Sequence, residues 1–205
     1  MTRKTLPRFI LALAVLSLSL SCAGVQKNYP EKRYFVLNAS RTAEPSADRG
    51  EAVLRIRGFR ISPRYEGRGL VYRTARLTFE SDFYNQFFIS PAQMIAEETS
   101  RWLAEAKLFH HVLDAPSQAL PDLVLEGAVT AVYGDYSRAG EPKAVMEIQF
   151  FLIQEASPPG RIVLQKNYRR EIPLNGSSPQ DLVQGWDQAL EQILAALEKD
   201  LKEKL

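Results

Sequence analysis

The chain has 205 residues, of which 45% are hydrophobic and 24% charged, with 26 Lys and Arg set against 24 Asp and Glu. That near balance leaves no broad basic field for nucleic acid, and a single cysteine excludes a disulfide within the chain and a Cys-based zinc set. At the start, Arg3, Lys4 and Arg8 precede an apolar run from Phe9 to Leu20 that ends in Ser21, Cys22, Ala23 and Gly24. A basic start, a short apolar stretch and a small-residue end describe a secretory signal. Crossing a membrane as a helix needs roughly 20 apolar residues, more than this run supplies.

The stretch "LSLSC" followed by "AG" resembles the bacterial lipoprotein signal, with Ser19 standing where that signal usually has an aliphatic residue. The resemblance implies that residues 1–21 are removed and that the Cys22 thiol carries a diacylglyceryl group, with an acyl chain such as palmitate added at the new N-terminus. Ala23 after the cysteine, rather than Asp, favours the outer membrane by the same resemblance. An ordinary signal with an incidental cysteine, or an intermolecular disulfide, is the alternative. The leader holds three basic residues and no acid, so its removal leaves 23 basic against 24 acidic residues, a net charge near −1. Residues 22–32 then form a tether that spans at most about 35 Å.

Beyond the tether, "RYFVLN" is a short β-rich run. In "AVLRIRGF", Leu54 and Ile56 fall on one face and Arg55 and Arg57 on the other, the alternation of a half-buried strand. The loop "ASRTAEPSADRG" between these two runs reads as a linker. After the turn-like "SPRYEGRG", the stretch "GLVYRTARLTFE" reads as a further strand.

A helix follows, with Ser90 as N-cap, Pro91 in its first position and Gln93 as capping-box partner; it places Ile95, Thr99, Trp102 and Ala106 on one side. "LFHHVLD" supplies a short strand, and the strand–helix–strand order predicts a crossover in which "HVL" runs parallel to "AVLRIRGF". "DLVLEGAVTAVYGD", "AVMEIQFFLIQE" and "RIVLQKNYRREIPL" predict an antiparallel meander joined by "SRAGEP" and "SPPG". A last helix is capped by Ser178, Pro179 and Asp181, and carries Leu182, Trp186, Leu190, Ile193, Leu197 and Leu201 on one face. That face packs on the sheet, or its last two turns meet a partner helix as a coiled coil. The fold class expected is α+β: one mixed, mostly antiparallel sheet with two packed helices and a βαβ crossover.

Catalytic patterns are missing from the sequence. His110 and His111 are adjacent, and neighbours on a strand point to opposite faces. There is no GxSxG elbow, no phosphate-binding glycine loop and no HExxH, and Glu97 and Glu98 read as solvated charge on a helix. The expectation is a non-enzymatic protein with no metal and no cofactor beyond the covalent lipid. The unusual local pattern is "RIRGFRISPRYEGRGLVYRTAR", seven arginines and two tyrosines facing one acid, Glu66. Arg and Tyr join apolar area to fixed polar groups and are enriched where surfaces bind partners. Arg60, Pro63, Tyr65, Arg68, Tyr72 and Arg73 are the candidate contacts for phosphate headgroups or an acidic protein face. An outward strand face with a solvated turn is the competing reading.

Taken together, "RYFVLN", "LRIRGFRISPRYEGRGLVYR", "FYNQFFISPAQMIAEETSRWLAEAKLFHHV", "PDLVLEGAVTAVYGDY" and the capped last helix resemble the PqiC-like, ABC-type transport auxiliary lipoprotein family. The resemblance implies that residues 33–205 are one auxiliary domain, lipid-anchored on the periplasmic face of the outer membrane of a Gram-negative bacterium. It implies as partners an MCE-domain protein and its ABC permease and ATPase, moving phospholipids or other hydrophobic molecules, and homo-oligomeric rings. No nucleic acid is implied. A lipoprotein that regulates cell-wall synthesis or assembles another envelope complex is the alternative, with the same anchor and a different partner.

Overall fold

In the computed structural model, residues 30–47, 49–114, 117–155 and 160–204 are described. The leader, Cys22, most of the tether and the "SPP" of the last predicted turn lie outside the described residues. In chain order the elements are β1 (Arg33–Phe35), β2 (Val53–Ile56), β3 (Arg60–Ile61), a 3-10 turn (Pro63–Tyr65), β4 (Gly69–Ala75) and β5 (Thr78–Phe87). The helix α1 (Pro91–Ala106) and β6 (His111–Leu113) follow. Then come β7 (Leu123–Asp135), β8 (Lys143–Gln154), β9 (Arg161–Pro173) and α2 (Pro179–Lys202).

All the strands join one mixed sheet, and β7 is its axis. Its sequence, "LVLEGAVTAVYGD", is almost continuously apolar, and most of the strand is buried. One side of β7 pairs antiparallel with β8, which pairs antiparallel with β9, as the meander predicts. The other side takes three short strands in succession, all parallel to it. Leu54 to Ile56 of β2 lie against Leu123 to Leu125, Arg60 and Ile61 of β3 against Ala128 and Val129, and Tyr72 and Arg73 of β4 against Gly134 and Asp135. The arginine-rich stretch thus tracks along β7. Phe59 sits between β2 and β3 over Gly127, where a Cβ would lie 2.6 Å from its ring, and its ring meets Phe150 edge-on.

The predicted crossover is present: β6 pairs parallel with β2 after the chain passes through α1. Ile95, Thr99, Trp102 and Ala106 are buried on α1, as are all six predicted positions of α2. α2 packs on β8 and β9 and touches α1, so its apolar face, Leu197 and Leu201 included, is covered within the chain. The 12-residue β8 alternates beneath it, with Ala144, Met146, Ile148, Phe150 and Leu152 all buried.

Three local expectations are corrected. "GLVYRTARLTFE" is not one strand but the hairpin of β4 and β5, with Ala75 opposite Thr78 and Arg76–Leu77 at the turn. At α1 neither half of the box forms: the Ser90 side chain makes no capping bond, and the Gln93 amide donates to Glu97 one turn on. α2 does form the full box: Asp181 donates its backbone N–H to the Ser178 hydroxyl, and its carboxylate accepts from the Ser178 N–H. Finally, the loop after β1 begins as a strap rather than a free linker. Three successive backbone N–H groups, of Asn38, Ala39 and Ser40, donate to Asp187, Glu98 and Glu191 at 2.8–2.9 Å. Carboxylates from both helices take the place of a neighbouring strand.

Candidate functional site

The β4–β5 hairpin and the 3-10 turn stand beside the far half of β7, and a groove of about 550 Å³ opens between them. Tyr133 of β7 lies at its centre. Pro63 opens the turn, whose Tyr65 N–H donates to the Ser62 carbonyl at 2.8 Å. This turns the Tyr65 ring inward, 2% exposed, to stack on Tyr133 with centroids 6.0 Å apart. Phe79 of β5 meets Tyr133 edge-on at 5.5 Å.

Four arginines surround these rings. Arg73 grips Asp135 through two nitrogens and lies 5.4 Å above the Tyr133 ring. Arg169 of β9 reaches Glu147 at 2.8 Å, Glu171 at 2.9 Å and the Tyr133 hydroxyl at 3.3 Å. Arg64 holds its guanidinium 5.5 Å from the Phe79 ring, an attraction between a cation and the negative ring face. Arg76 stands at the exposed hairpin tip beside Leu77, which is 82% exposed. The groove's ion pairs join Arg73 to Asp135 and Arg169 to Glu147 and Glu171, leaving Arg64 and Arg76 without a carboxylate among the described residues.

The charge states follow from these contacts. Burial alone would raise the Asp135 pKa, but hydrogen bonds from Arg73 and Ser137 outweigh it and hold the carboxyl down at about 2. Glu147 is lowered by the Asn167 amide and then, against some desolvation, by Arg169. Burial works against the Arg169 charge, yet its bonds to Tyr133, Glu147 and Glu171 raise its pKa. Both carboxylates are therefore ionised and paired, and the groove offers an incoming group two cations over an aromatic floor. That chemistry suits an anionic or acidic partner.

The six sequence candidates do not form one site. Tyr65 and Arg73 line the groove, and Pro63 frames it. Tyr72 is turned away: its hydroxyl donates to Asp82 at 3.0 Å and its ring packs on Tyr136, and burial followed by the Asp82 contact raises the phenol pKa. Arg68 donates to the Phe88 carbonyl at 3.2 Å, near the β1 edge of the sheet. Arg60 is exposed on β3. Of the remaining arginines in the stretch, Arg55 binds the carbonyls of Ser117 and Ala119, and Arg57 binds Glu126 and Glu155. Tyr133, Glu147 and Arg169 went unmarked in the sequence, because they reach the groove only through strand register.

Elsewhere, a groove of about 770 Å³ runs beside α1, with Phe59 and Ala96 on its apolar lining and Glu97, Arg101 and Asp114 at its polar part. The rings of His110 and His111 do not diverge as alternation predicts. They meet edge-on at 4.4 Å, because His110 precedes β6 and is free of its pleat. Among the described residues no three His, Cys, Asp or Glu side chains are grouped to hold a metal ion, and no helix is long and apolar enough to cross a membrane.

No family model matches the chain, and no curated protein matches it. Solved structures do. A protein from Xanthomonas campestris assigned to the family model DUF330 superposes with a TM-score of 0.66 at 15% identity, covering 82% of this chain and 90% of its own. An uncharacterized protein superposes with a TM-score of 0.67 at 16% identity, covering 83% and 99%. The chain has the fold of these two proteins, one of them a DUF330 protein.

Proposed function

We propose that the chain is a non-enzymatic, lipid-anchored envelope protein, a docking component of an MCE-type ABC transport system for phospholipids or other hydrophobic molecules. Cys22 carries the lipid and holds the protein at the periplasmic face of the outer membrane. The observation that carries this reading is the single thiol, placed at the end of a signal-like apolar run and ten residues before the folded unit begins at Lys32. One acyl chain binds a bilayer only marginally, while two or three, at about 0.8 kcal/mol per buried methylene, hold essentially permanently. The transport partners come from the family that the quoted stretches resemble; the fold shared with a DUF330 protein is compatible with an envelope protein of that kind and bears on no particular partner.

In this proposal the groove around Tyr133 receives an acidic face of the MCE-domain subunit. Arg64 and Arg76 supply the unpaired charge, and Arg60 extends the positive edge along β3. Copies of the chain arranged as a ring would repeat the same contact around the end of an MCE tunnel. The test is photo-crosslinking in cells from a reactive residue placed at Arg76. An adduct with an MCE-domain protein is the expected result. Adducts confined to a cell-wall synthase would replace this function with a regulatory one.

A further inference from the structure

Four apolar side chains crowd the edge of the sheet where the tether joins the fold. Tyr34, Val36, Phe83 and Phe88 are each between 49% and 64% exposed, although a folded chain has buried most residues of their kind. They are not scattered. Tyr34 meets Phe88 edge-on at 6.2 Å, and Lys32, just before β1, holds its ammonium 4.1 Å from the centre of the Phe83 ring. The backbone keeps them there. β1 pairs in parallel with β5, the Phe88 N–H donates to the Phe35 carbonyl, and the Asp82 carboxylate accepts from the N–H groups of Tyr84 and Asn85 beside Phe83. The inward neighbour Phe87 packs on Trp186, so the outward rings are not waiting for a place in the core.

Three cations belong to this edge, and each has a neutral partner. Lys32 lies over the Phe83 ring, Arg33 donates to the Asn85 amide oxygen at 3.0 Å, and Arg68 donates to the Phe88 carbonyl at 3.2 Å. None of the three forms an ion pair among the described residues. β1 is also the end strand of the sheet's main path, so nothing in the sheet lies beyond it.

We infer that this edge is a membrane-docking surface, in which Tyr34, Phe83 and Phe88 enter the headgroup region of an anionic phospholipid bilayer while Lys32, Arg33 and Arg68 meet lipid phosphates. The inference rests on the anchored reading above. Lys32, which itself belongs to the patch, is ten positions after Cys22, so the Cys22 thiol cannot be more than about 35 Å from it along the chain. Every other part of the domain is joined to the anchor through this edge. Aromatic rings settle at the boundary between headgroups and acyl chains, and basic residues beside them are drawn to anionic lipid. The anchor thus sets the location and the patch sets the orientation. The docked edge faces the bilayer, and the groove around Tyr133 remains a separate surface for protein.

The test uses the chain as purified from membranes, its acylation read by intact mass, in vesicles of phosphatidylethanolamine and phosphatidylglycerol with brominated acyl chains. Trp102 and Trp186 are buried, so Phe88→Trp supplies a reporter at the patch. Leu120→Trp supplies one at a position 91% exposed, beside β2 and toward the opposite end of the strand order. Bromolipid is expected to reduce the added emission of Phe88→Trp about twofold, and to leave that of Leu120→Trp unchanged, since an interfacial group sits within reach of the upper acyl chains. Unquenched emission from Phe88→Trp in an acylated chain would overturn the inference. If that emission were also blue-shifted, protein would be the covering partner, a second copy included. A chain without acyl mass would instead remove the anchor, and with it the basis for the orientation.

Discussion

The Trp102 indole N–H donates to the Glu198 carboxylate at 2.9 Å, joining α1 to α2 across 96 residues of sequence. The same carboxylate accepts two bonds from Arg41 at 3.0 Å and one from Lys202 at 2.7 Å, and Glu198 is only 4% exposed. A buried charge is tolerable only when its lone pairs are met, and here four hydrogen bonds from three residues meet them. Strap, first helix and last helix therefore converge on one side chain.

Removing Arg41 from that arrangement leaves a buried carboxylate short of its principal counter-charge. Arg41→Met should cost about 3 kcal/mol, as for other broken buried pairs. Glu198→Leu combined with it should recover part of the loss. Urea unfolding of both variants measures this. A change in Arg41→Met no larger than the roughly 0.5 kcal/mol of an ordinary surface substitution would show that Lys202 and Trp102 suffice.

Acid titrates two groups near the helices in opposite senses. Burial first, with the nearby Glu191 and Glu98 adding to it against the Asn38 N–H, raises the Asp187 pKa from 3.8 to about 6. A folded-state pKa above the ordinary value means that protonation favours the folded chain, so this contribution is complete below about pH 4 and lost as pH rises through about 6. For Glu198, burial would raise the pKa, but bonds from Arg41, Lys202 and Trp102 outweigh it and bring it from 4.5 to about 2. Its contribution is present above about 4.5 and lost as pH falls toward 2. Asp187→Asn should therefore stabilise the protein at pH 7, with the advantage vanishing by pH 4. Thermal unfolding across that range decides it, and an advantage independent of pH would contradict the assignment.

The parts of this fold that were legible in the sequence are those whose information is periodic and local. Leu182 through Leu201 repeat at helical spacing behind Ser178 and Asp181, and every one of the six marked positions is buried. The parallel pairing of β2 and β6 followed from the strand–helix–strand order. The β4–β5 turn was hidden because Arg76–Leu77 contains no Gly, Pro, Asn or Asp, so the alternation of Val71, Arg73, Phe79 and their neighbours reads straight through it. Groove residues posed a harder problem. Ala131 faces Glu147, Glu147 faces Arg169, and Tyr72 faces Gly134 beside Tyr133. Periodicity says which face a residue occupies but not which residue of the next strand it meets. The arginine count pointed to the right region, yet it did not distinguish Arg73, already paired, from Arg64 and Arg76.

That distinction makes the groove arginines separable by experiment. Arg73→Glu would set a new carboxylate against Asp135 and should destabilise the fold by about 2 kcal/mol, the scale of a lost charged hydrogen bond. Arg64→Glu with Arg76→Glu touches no ion pair and should leave stability within roughly 0.5 kcal/mol. The pair should nonetheless weaken co-purification of an MCE-domain subunit. Unchanged capture by a normally folded double variant would remove the groove from the partner interface.

The anchor can be tested independently of any partner. If the Cys22 thiol is alkylated and the leader removed, the intact protein has a mass that begins at residue 22 and includes a diacylglyceryl group and one further acyl chain. It should also incorporate an alkyne-labelled palmitate in cells. Cys22→Ser should show neither label nor added mass, and a chain lacking both lipid and leader should leave the membrane in high salt, because Debye screening weakens the contacts of Lys32, Arg33 and Arg68 while no acyl chain remains. A mature wild-type chain with a free thiol at Cys22, or one that begins at another residue, would contradict the lipoprotein reading, whatever the fold resembles.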